Sequence, residues 1–222
     1  MTVDDTARTA SEMTRLVLNA GAGPAGPNSL HGCFRAPGWR EVRLDLNPAV
    51  SPDVLGSVTD LHGLFADGTF DAIWSSHNIE HLYDHEVTMA LGEFHRVLKP
   101  DGFAVITCPD LECVAELLIE RGLHGKVYDA PIGPITVHDM VFGHGGSVAA
   151  GNGFMAHRTG FTQDRLGIKA TQSGFADVRV GRGTGFDLWA VLPKSERGAA
   201  AAAELARGSD LAFLFGGEVA SA

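Results

Sequence analysis

Short apolar runs alternate with longer helical patterns between residues 15 and 194. Most of these runs are continuous rather than alternating, which predicts strands that are covered on both faces of a sheet. Strands that alternate with helices form crossover units, and such units build parallel α/β sheets. The predicted strands are residues 16–20, 42–46, 53–58, 70–75, 103–108, 178–180 and 188–192.

The clearest helical period ends at residues 99–102, where the sequence KPDG stops it. Within this segment apolar side chains recur at Met89, Leu91 and Phe94. Only residues 181–186 separate the last two strands, so we expect at least one antiparallel pair to close the sheet. The predicted helices are residues 79–98, 111–121 and 163–173, with a further helix in the alanine-rich run 198–206.

Residues 122–161 interrupt the alternation and are rich in glycine and histidine. Long segments of this kind in compact domains are usually functional or disordered, and apolar residues such as Phe142 and Phe154 argue against disorder. We therefore expect an insertion after the fifth strand that forms a substrate wall or lid. The predicted organisation is one domain over residues 1–194, followed by a helical tail over residues 195–222.

The chain has 222 residues and a net charge of −10, with 17 basic and 27 acidic side chains. An acidic excess without a basic run argues against nucleic acid or an anionic membrane as a partner. The first residues lack the pattern of a signal peptide, and no apolar run approaches the roughly 18 residues that cross a bilayer. We expect a cytoplasmic protein, for which a homodimer remains possible.

Candidate binding residues follow the first three predicted strands. Gly21 and Gly23 end the first strand, where a Gly-x-Gly turn lets the backbone approach a ligand. Asp45 ends the second strand, at the position from which an acid can bind ribose hydroxyls. Asp60 and Leu61 follow the third strand and suit the edge and face of an adenine ring. The structural alternatives are a tight turn at the glycines and a turn cap at Asp45.

The segments after the third and fourth strands carry more specific patterns. Residues 67–82 contain DGTFD followed by SHNIEH, and residues 93–109 contain RVLKPDG. These patterns resemble the class I S-adenosylmethionine-dependent methyltransferases over residues 15–110, and more loosely to residue 194. The resemblance implies a Rossmann-like, doubly wound, mostly parallel seven-stranded sheet with one antiparallel strand. It also implies S-adenosylmethionine as cofactor and methyl transfer to an oxygen, nitrogen or sulfur atom of a small-molecule acceptor.

The resemblance also implies roles for individual residues. Gly21 and Gly23 would face the methionine part of the cofactor, and Asp45 would hold the ribose diol. Three departures are visible: Asn19 stands where the family has an acid, Ala25 stands where it has a third glycine, and the Pro- and Gly-rich residues 24–39 replace the first helix. The implied cofactor-binding set is Asn19, Gly21, Gly23, Asp45, Leu46, Asp60, Leu61, Ser76 and His77.

Three histidines are the candidate catalytic residues. His77 follows the fourth strand and would line the methyl-transfer pocket. His144 and His157 lie in the predicted insertion, where a histidine could act as general base for a hydroxyl, phenol or thiol acceptor. The structural alternative for both is a turn cap or a backbone contact.

His77, Glu80 and His81 also form the pattern H-x-x-E-H, which some zinc hydrolases carry in the middle of a helix. Here the pattern directly follows a strand, so we expect no metal. Two functional alternatives remain open. One is an enzyme that cyclises the cofactor or transfers its aminocarboxypropyl group, and the other is a non-catalytic protein that resembles the family.

Overall fold

The computed structural model describes residues 14–216. Its strands are β1 (Arg15–Ala20), β2 (Trp39–Asp45), β3 (Val54–Leu55), β4 (Phe70–Ser76), β5 (Leu98–Pro109), β6 (Lys126–Ala130), β7 (Gly133–Thr136), β8 (Arg179–Arg182) and β9 (Asp187–Pro193). Seven of them form a sheet in the order β3-β2-β1-β4-β5-β9-β8. Strand β9 is antiparallel to both of its neighbours, and the other neighbouring pairs are parallel. The predicted fold class is confirmed.

Helices cover both faces of this sheet. They are α1 (Asp84–Val97), α2 (Leu111–Arg121), α3 (Val137–Phe142), α4 (Gly145–Ala149), α5 (Gln163–Gln172) and α6 (Glu196–Ala206). Helices α1 and α5 contribute Phe94 and Leu166 to a core on one face, and α6 contributes Ala202 to a core on the other. Because both faces are buried, the central strands are continuous apolar runs.

Two predicted elements have different bounds in the structure. The strand predicted at 53–58 is limited to Val54–Leu55, because residues 58–59 form a turn that the amide of Asp60 closes on the carbonyl of Ser57. The helix predicted at 79–98 begins at Asp84. Residues 79–81 form a 3-10 turn, and Leu82 is extended, so the two helical segments are not continuous.

The segment between β1 and β2 carries no α-helix in the structure. Its one helical element is a 3-10 turn at Gly32–Phe34, as the Pro- and Gly-rich composition predicts. Phe34 is buried in the same core as α6. A loop, rather than a helix, therefore lies next to the edge of β4 and the glycine turn after β1.

The chain after β9 folds back onto the sheet. Helix α6 is followed by a 3-10 helix at Asp210–Phe215, and Leu211 is buried against the same face. Residues 217–222 of the predicted tail lie outside the described residues. Among residues 14–216, none of the helices has the length and apolar character that a membrane span requires.

Helix α1 holds the loop that precedes β4 through one ion-pair network. One guanidinium edge of Arg96, formed by Nε and Nη2, donates to Glu93 at 2.9 Å and 2.8 Å. The remaining nitrogen, Nη1, donates to Phe65 O at 3.0 Å and to Asp67 Oδ1 at 2.7 Å. Glu93 Oε2 accepts the backbone amide of Leu61 at 2.7 Å. Hydrogen bonding to Arg96 holds the pKa of Glu93 below its ordinary value.

We predict that Glu93→Gln lowers the free energy of unfolding by about 2 kcal/mol at neutral pH, because it removes the mostly buried carboxylate that pairs with Arg96 and leaves Arg96 with the mostly exposed Asp67. A lowered carboxyl pKa stabilises the fold above the unfolded pKa, and that contribution is lost as the pH falls through the folded pKa. The difference from wild type should therefore shrink as the pH is lowered below 4.5, the ordinary value for Glu. Urea unfolding across a pH series measures this.

The matched control is Glu120→Gln, at an exposed glutamate near the end of α2 that pairs only with its neighbour Arg121. It should change the free energy of unfolding by less than about 0.5 kcal/mol. A pH-independent difference between Glu93→Gln and wild type would contradict the assignment of the effect to the carboxylate charge.

Candidate functional site

A cavity of about 800 Å³ lies at the carboxyl edge of the parallel strands. This is the edge at which ligands of open α/β sheets bind, because successive strands diverge there. The cavity extends from the turn after β1 to the residues of the insertion. Most of the predicted site residues line it: Asn19, Gly21, Gly23, Asp45, Leu46, Ser76, His77, His144 and His157.

The turn after β1 is fixed to the end of β2. Gly21 and Gly23 have positive φ angles of 72° and 58°. Asp45 Oδ2 accepts the amide of Gly23 at 2.8 Å, and Oδ1 accepts the amide of Asn47 at 2.8 Å. Arg43 donates to the carbonyl of Gly23 at 2.6 Å. Each carboxylate oxygen of Asp45 uses one lone pair in these bonds, so each retains another for a ligand.

Asn19 occupies the position at which the family has an acid. Its side chain is 2% exposed, and its amide donates to Glu41 Oε1 at 2.6 Å and to the carbonyl of Ser29 at 3.1 Å. Glu41 lies on the neighbouring strand β2 and is not among the residues that line the cavity. In this chain the acidic side chain beside Asn19 is that of Glu41, and the residue that lines the cavity is Asn19, with its neutral amide.

The structure places Asp60 and Leu61 outside the cavity. Leu61 is fully buried in the core with its amide bound to Glu93, and the side chain of Asp60 is 74% exposed. Because β3 ends at Leu55, the following turn presents earlier residues to the site. The positions that line the cavity there are Ser57, Val58 and Thr59.

His77 follows β4 in a left-handed conformation, with a φ of 46°. Its backbone amide donates to the carbonyl of Thr107, and its ring Nδ1 lies 3.3 Å from Glu80 Oε1. Burial lowers the pKa of His77, but the nearby carboxylate of Glu80 outweighs burial and raises it. Together with Ser76, His77 also lines a second cavity of about 380 Å³, whose wall includes Trp189. It therefore stands between two chambers.

The two insertion histidines have opposite hydrogen-bond roles. His144 precedes α4, and its Nδ1 accepts the amide of Ser147 at 3.1 Å. That bond occupies the basic nitrogen, so His144 has the role of a helix cap. His157 contacts the carbonyl of Met140 through Nδ1 at 3.0 Å, which makes Nδ1 the donor and leaves a lone pair on Nε2. Burial lowers the pKa of His157 and favours its neutral form.

Glu80 is a cavity residue that our sequence analysis did not include in the cofactor or catalytic sets. Its side chain is 2% exposed, and neither carboxylate oxygen has a hydrogen-bond partner among the described residues. Burial raises the pKa of Glu80, but His77 outweighs this effect and keeps the carboxyl ionised. Its carbonyl accepts the amides of Arg158 and Thr159, at 2.8 Å and 3.2 Å. The motif contains Glu80, but nothing in its spacing indicates contact with residues 158–159.

Comparisons with known proteins agree with this geometry. A family model described as a methyltransferase domain matches residues 24–106. No curated protein sequence is significantly similar to the chain.

Among solved structures, a protein from Pyrococcus horikoshii is 18% identical, covers 84% of each chain and has a TM-score of 0.56. A possible histamine N-methyltransferase from Thermotoga maritima is 15% identical over 82% of each chain, with a TM-score of 0.53. An S-adenosylmethionine-dependent methyltransferase from Methanosarcina mazei is 19% identical over 82% of this chain and 91% of its own, with a TM-score of 0.51. These similarities show a shared fold.

The glycine turn generates a testable prediction. A Cβ at Gly21 would overlap the side chain of Asn78, whereas a Cβ at Gly23 would enter open space. We expect Gly23→Ala to lower the free energy of unfolding by about 1 kcal/mol, since its φ is positive, and Gly21→Ala to lower it by about 2–4 kcal/mol. Thermal and urea unfolding measure both.

A double-mutant cycle with Asn78→Ala isolates the clash. The coupling energy between Gly21→Ala and Asn78→Ala should be about 1 kcal/mol or more, and that between Gly23→Ala and Asn78→Ala should be near zero. Equal coupling at the two glycines would show that backbone strain alone accounts for the loss.

Proposed function

We propose that the chain, whose residues 24–106 match a methyltransferase domain, is a class I S-adenosylmethionine-dependent methyltransferase that methylates an oxygen, nitrogen or sulfur atom of a small-molecule acceptor. One observation carries this proposal. The candidate cofactor residues at the ends of β1 and β2 and the histidines of the insertion line one continuous cavity, with His77 between them.

The cofactor half of the cavity has a donor and acceptor set that suits S-adenosylmethionine. We assign the ribose hydroxyls to Asp45, whose two oxygens each retain a lone pair. Leu46, which is 52% exposed at the cavity wall, and Val58 provide apolar surface for the adenine ring. The turn at Gly21 and Gly23 lets the backbone approach the methionine part. When bound, the cofactor supplies a methyl group that is already activated on a sulfonium.

The half of the cavity that we assign to the acceptor is lined by residues of the insertion. Pockets for small ligands have volumes of about 300–1,000 Å³, so a cavity of about 800 Å³ suits the cofactor together with a small acceptor. The acidic net charge of −10 is unfavourable for a nucleic-acid acceptor. In this proposal His77 and the insertion hold the nucleophile in line with the methyl group and exclude water, which are the main tasks for the protein.

A mass-spectrometric acceptor screen, combined with calorimetry of S-adenosylhomocysteine binding, tests the function. Binding together with a product one methylene unit heavier than its acceptor supports methyl transfer. A product that carries the aminocarboxypropyl group, or conversion of the cofactor alone, favours the alternative cofactor chemistry. A folded protein that does not bind S-adenosylhomocysteine contradicts the proposal and favours a non-catalytic relative.

The role assigned to Asp45 predicts a loss of cofactor affinity. Asp45→Asn retains one acceptor for the turn but removes the charge from hydrogen bonds worth roughly 1.5–3 kcal/mol each. We expect at least an about tenfold weaker affinity for S-adenosylhomocysteine, measured by calorimetry. Asp60→Asn is the matched control, since Asp60 lies outside the cavity, and its affinity should equal that of wild type. Equal affinities in all three proteins would remove Asp45 from the site.

The role assigned to His77 predicts a selective loss of turnover. His77→Asn keeps a residue that tolerates the left-handed backbone, and it removes the ring from both cavities. We expect kcat for the acceptor found in the screen to fall about ten- to hundredfold, with a smaller change in cofactor affinity. His85→Ala, in the first turn of α1, should leave both unchanged. A loss confined to cofactor affinity would assign His77 to cofactor binding instead.

A further inference from the structure

Glu80, His81 and His157 form a cluster in the cavity wall that methyl transfer does not require. One carboxylate oxygen and one ring nitrogen from each histidine lie within 4.8 Å of one another. All three residues line the larger cavity. Two of them are adjacent in sequence, and the third comes from the insertion, so the fold brings together groups that are more than seventy residues apart.

Within this cluster, the carboxylate of Glu80 is the group whose charge a bound cation would compensate. It is 2% exposed, and neither oxygen has a hydrogen-bond partner among residues 14–216. A buried carboxylate is unfavourable unless a cation or several donors compensate its charge. The ring of His77 lies 3.3 Å from Oε1 of Glu80, without hydrogen-bond geometry. The coordination capacity of Glu80 is therefore largely unused.

The hydrogen bonds of the two histidine rings leave one nitrogen of each ring for a ligand. His81 Nδ1 contacts the carbonyl of Ala156 at 3.2 Å, and His157 Nδ1 contacts the carbonyl of Met140 at 3.0 Å. Bonds to carbonyls require a proton on Nδ1, so Nε2 of each ring keeps a free lone pair. Metal-binding histidines almost always donate their other ring nitrogen in this way, which fixes the tautomer and the ring orientation.

The backbone holds the two halves of the cluster together before any ligand is present. The carbonyl of Glu80 accepts the amides of Arg158 and Thr159, and the amide of His157 donates to the carbonyl of Phe142. The rings of His81 and His157 are 5.0 Å apart between centroids. Only side-chain movement is needed to bring the three ligand atoms to the separation of about 3.0–3.5 Å that bonds of about 2.0–2.2 Å require.

We propose that Glu80, His81 and His157 bind a divalent first-row transition ion, with Zn²⁺ and Mn²⁺ as the best matches. Two imidazole nitrogens and one carboxylate suit such ions, whereas Mg²⁺ and Ca²⁺ prefer oxygen ligands throughout. Three protein ligands leave at least one coordination position open, and this position faces the cavity because all three residues line it. This proposal differs from the expectation, drawn from the sequence, that no metal binds.

A second cluster, formed by Asp60, His62 and Glu93, is the competing location. The side chains of Asp60 and His62 are 74% and 72% exposed, and Glu93 is already bound by Arg96 and by the amide of Leu61. The carboxylate of Glu93 therefore lacks the unused coordination capacity that the carboxylate of Glu80 has. His62→Ala supplies a control that separates the two locations.

The experiment is calorimetric titration of the full-length, chelator-treated protein with Zn²⁺, Mn²⁺ and Mg²⁺. We expect one equivalent of Zn²⁺ to bind, more tightly than Mg²⁺. The isosteric variant Glu80→Gln and the variant His157→Ala should each weaken Zn²⁺ binding at least about tenfold. His62→Ala and His85→Ala should bind Zn²⁺ as wild type does. Absence of Zn²⁺ binding to wild type, or a loss confined to His62→Ala, overturns the proposal.

Two further measurements keep the result interpretable. Circular dichroism and thermal unfolding of the metal-free variants establish that they fold, and the visible absorption of the Co²⁺-loaded wild type reports nitrogen and oxygen ligation without any substitution. S-adenosylhomocysteine calorimetry on the same samples separates this inference from the proposed function. Protein that binds Zn²⁺ through these residues but not S-adenosylhomocysteine would support the metal site and contradict the methyltransferase proposal. Protein that binds S-adenosylhomocysteine but not Zn²⁺ would contradict the metal site and leave the methyltransferase proposal supported.

Discussion

The hydrogen bonds from the amides of Arg158 and Thr159 to the carbonyl of Glu80 join the insertion to the sheet edge, and the cavity depends on them. The insertion also packs against α2, where Val137 lies beside Val114 and Leu117. Through the contact with Glu80, His157 and Met155 become part of the wall opposite the glycine turn. The same contact places the insertion over the Glu80 side chain, which is 2% exposed. The insertion therefore both lines the cavity and buries this carboxylate.

At the other end of the cavity, the charged side chains of Asp45 and Arg43 hold the glycine turn in place, rather than a covering segment. Asp45 binds the amides of Gly23 and Asn47, while Arg43 binds the carbonyl of Gly23. These bonds hold a turn that has no α-helix behind it, because a loop follows β1. An aspartate at this position therefore serves two purposes: it keeps the glycine backbone in place, and it presents its remaining lone pairs to the cavity.

The strand order follows from local patterns, whereas much of the site does not. Continuous apolar runs predict buried parallel strands, and strand ends predict where Gly21, Asp45 and His77 lie, because every parallel strand ends at the same edge. Strand β3 is shorter than predicted because Val58, whose apolar side chain extends the strand pattern, lies in a turn that the amide of Asp60 closes on the carbonyl of Ser57. The contact of Glu80 with residues 158–159 joins positions far apart in the chain, and periodicity carries no information about such pairs.

Hydrogen bonding also separates residues that the sequence makes equivalent. His144 and His157 are both insertion histidines beside glycine-rich turns, but the amide of Ser147 occupies the lone pair of one, and the carbonyl of Met140 takes the proton of the other. Of these two histidines, His157 is the one that offers a basic nitrogen to the cavity. Next to it, the charge of Glu80 has two alternative partners, the ring of His77 and a cation held with His81 and His157. Both draw on the same carboxylate, so a bound cation would release His77 from its ion pair and leave its ring free to contact an acceptor.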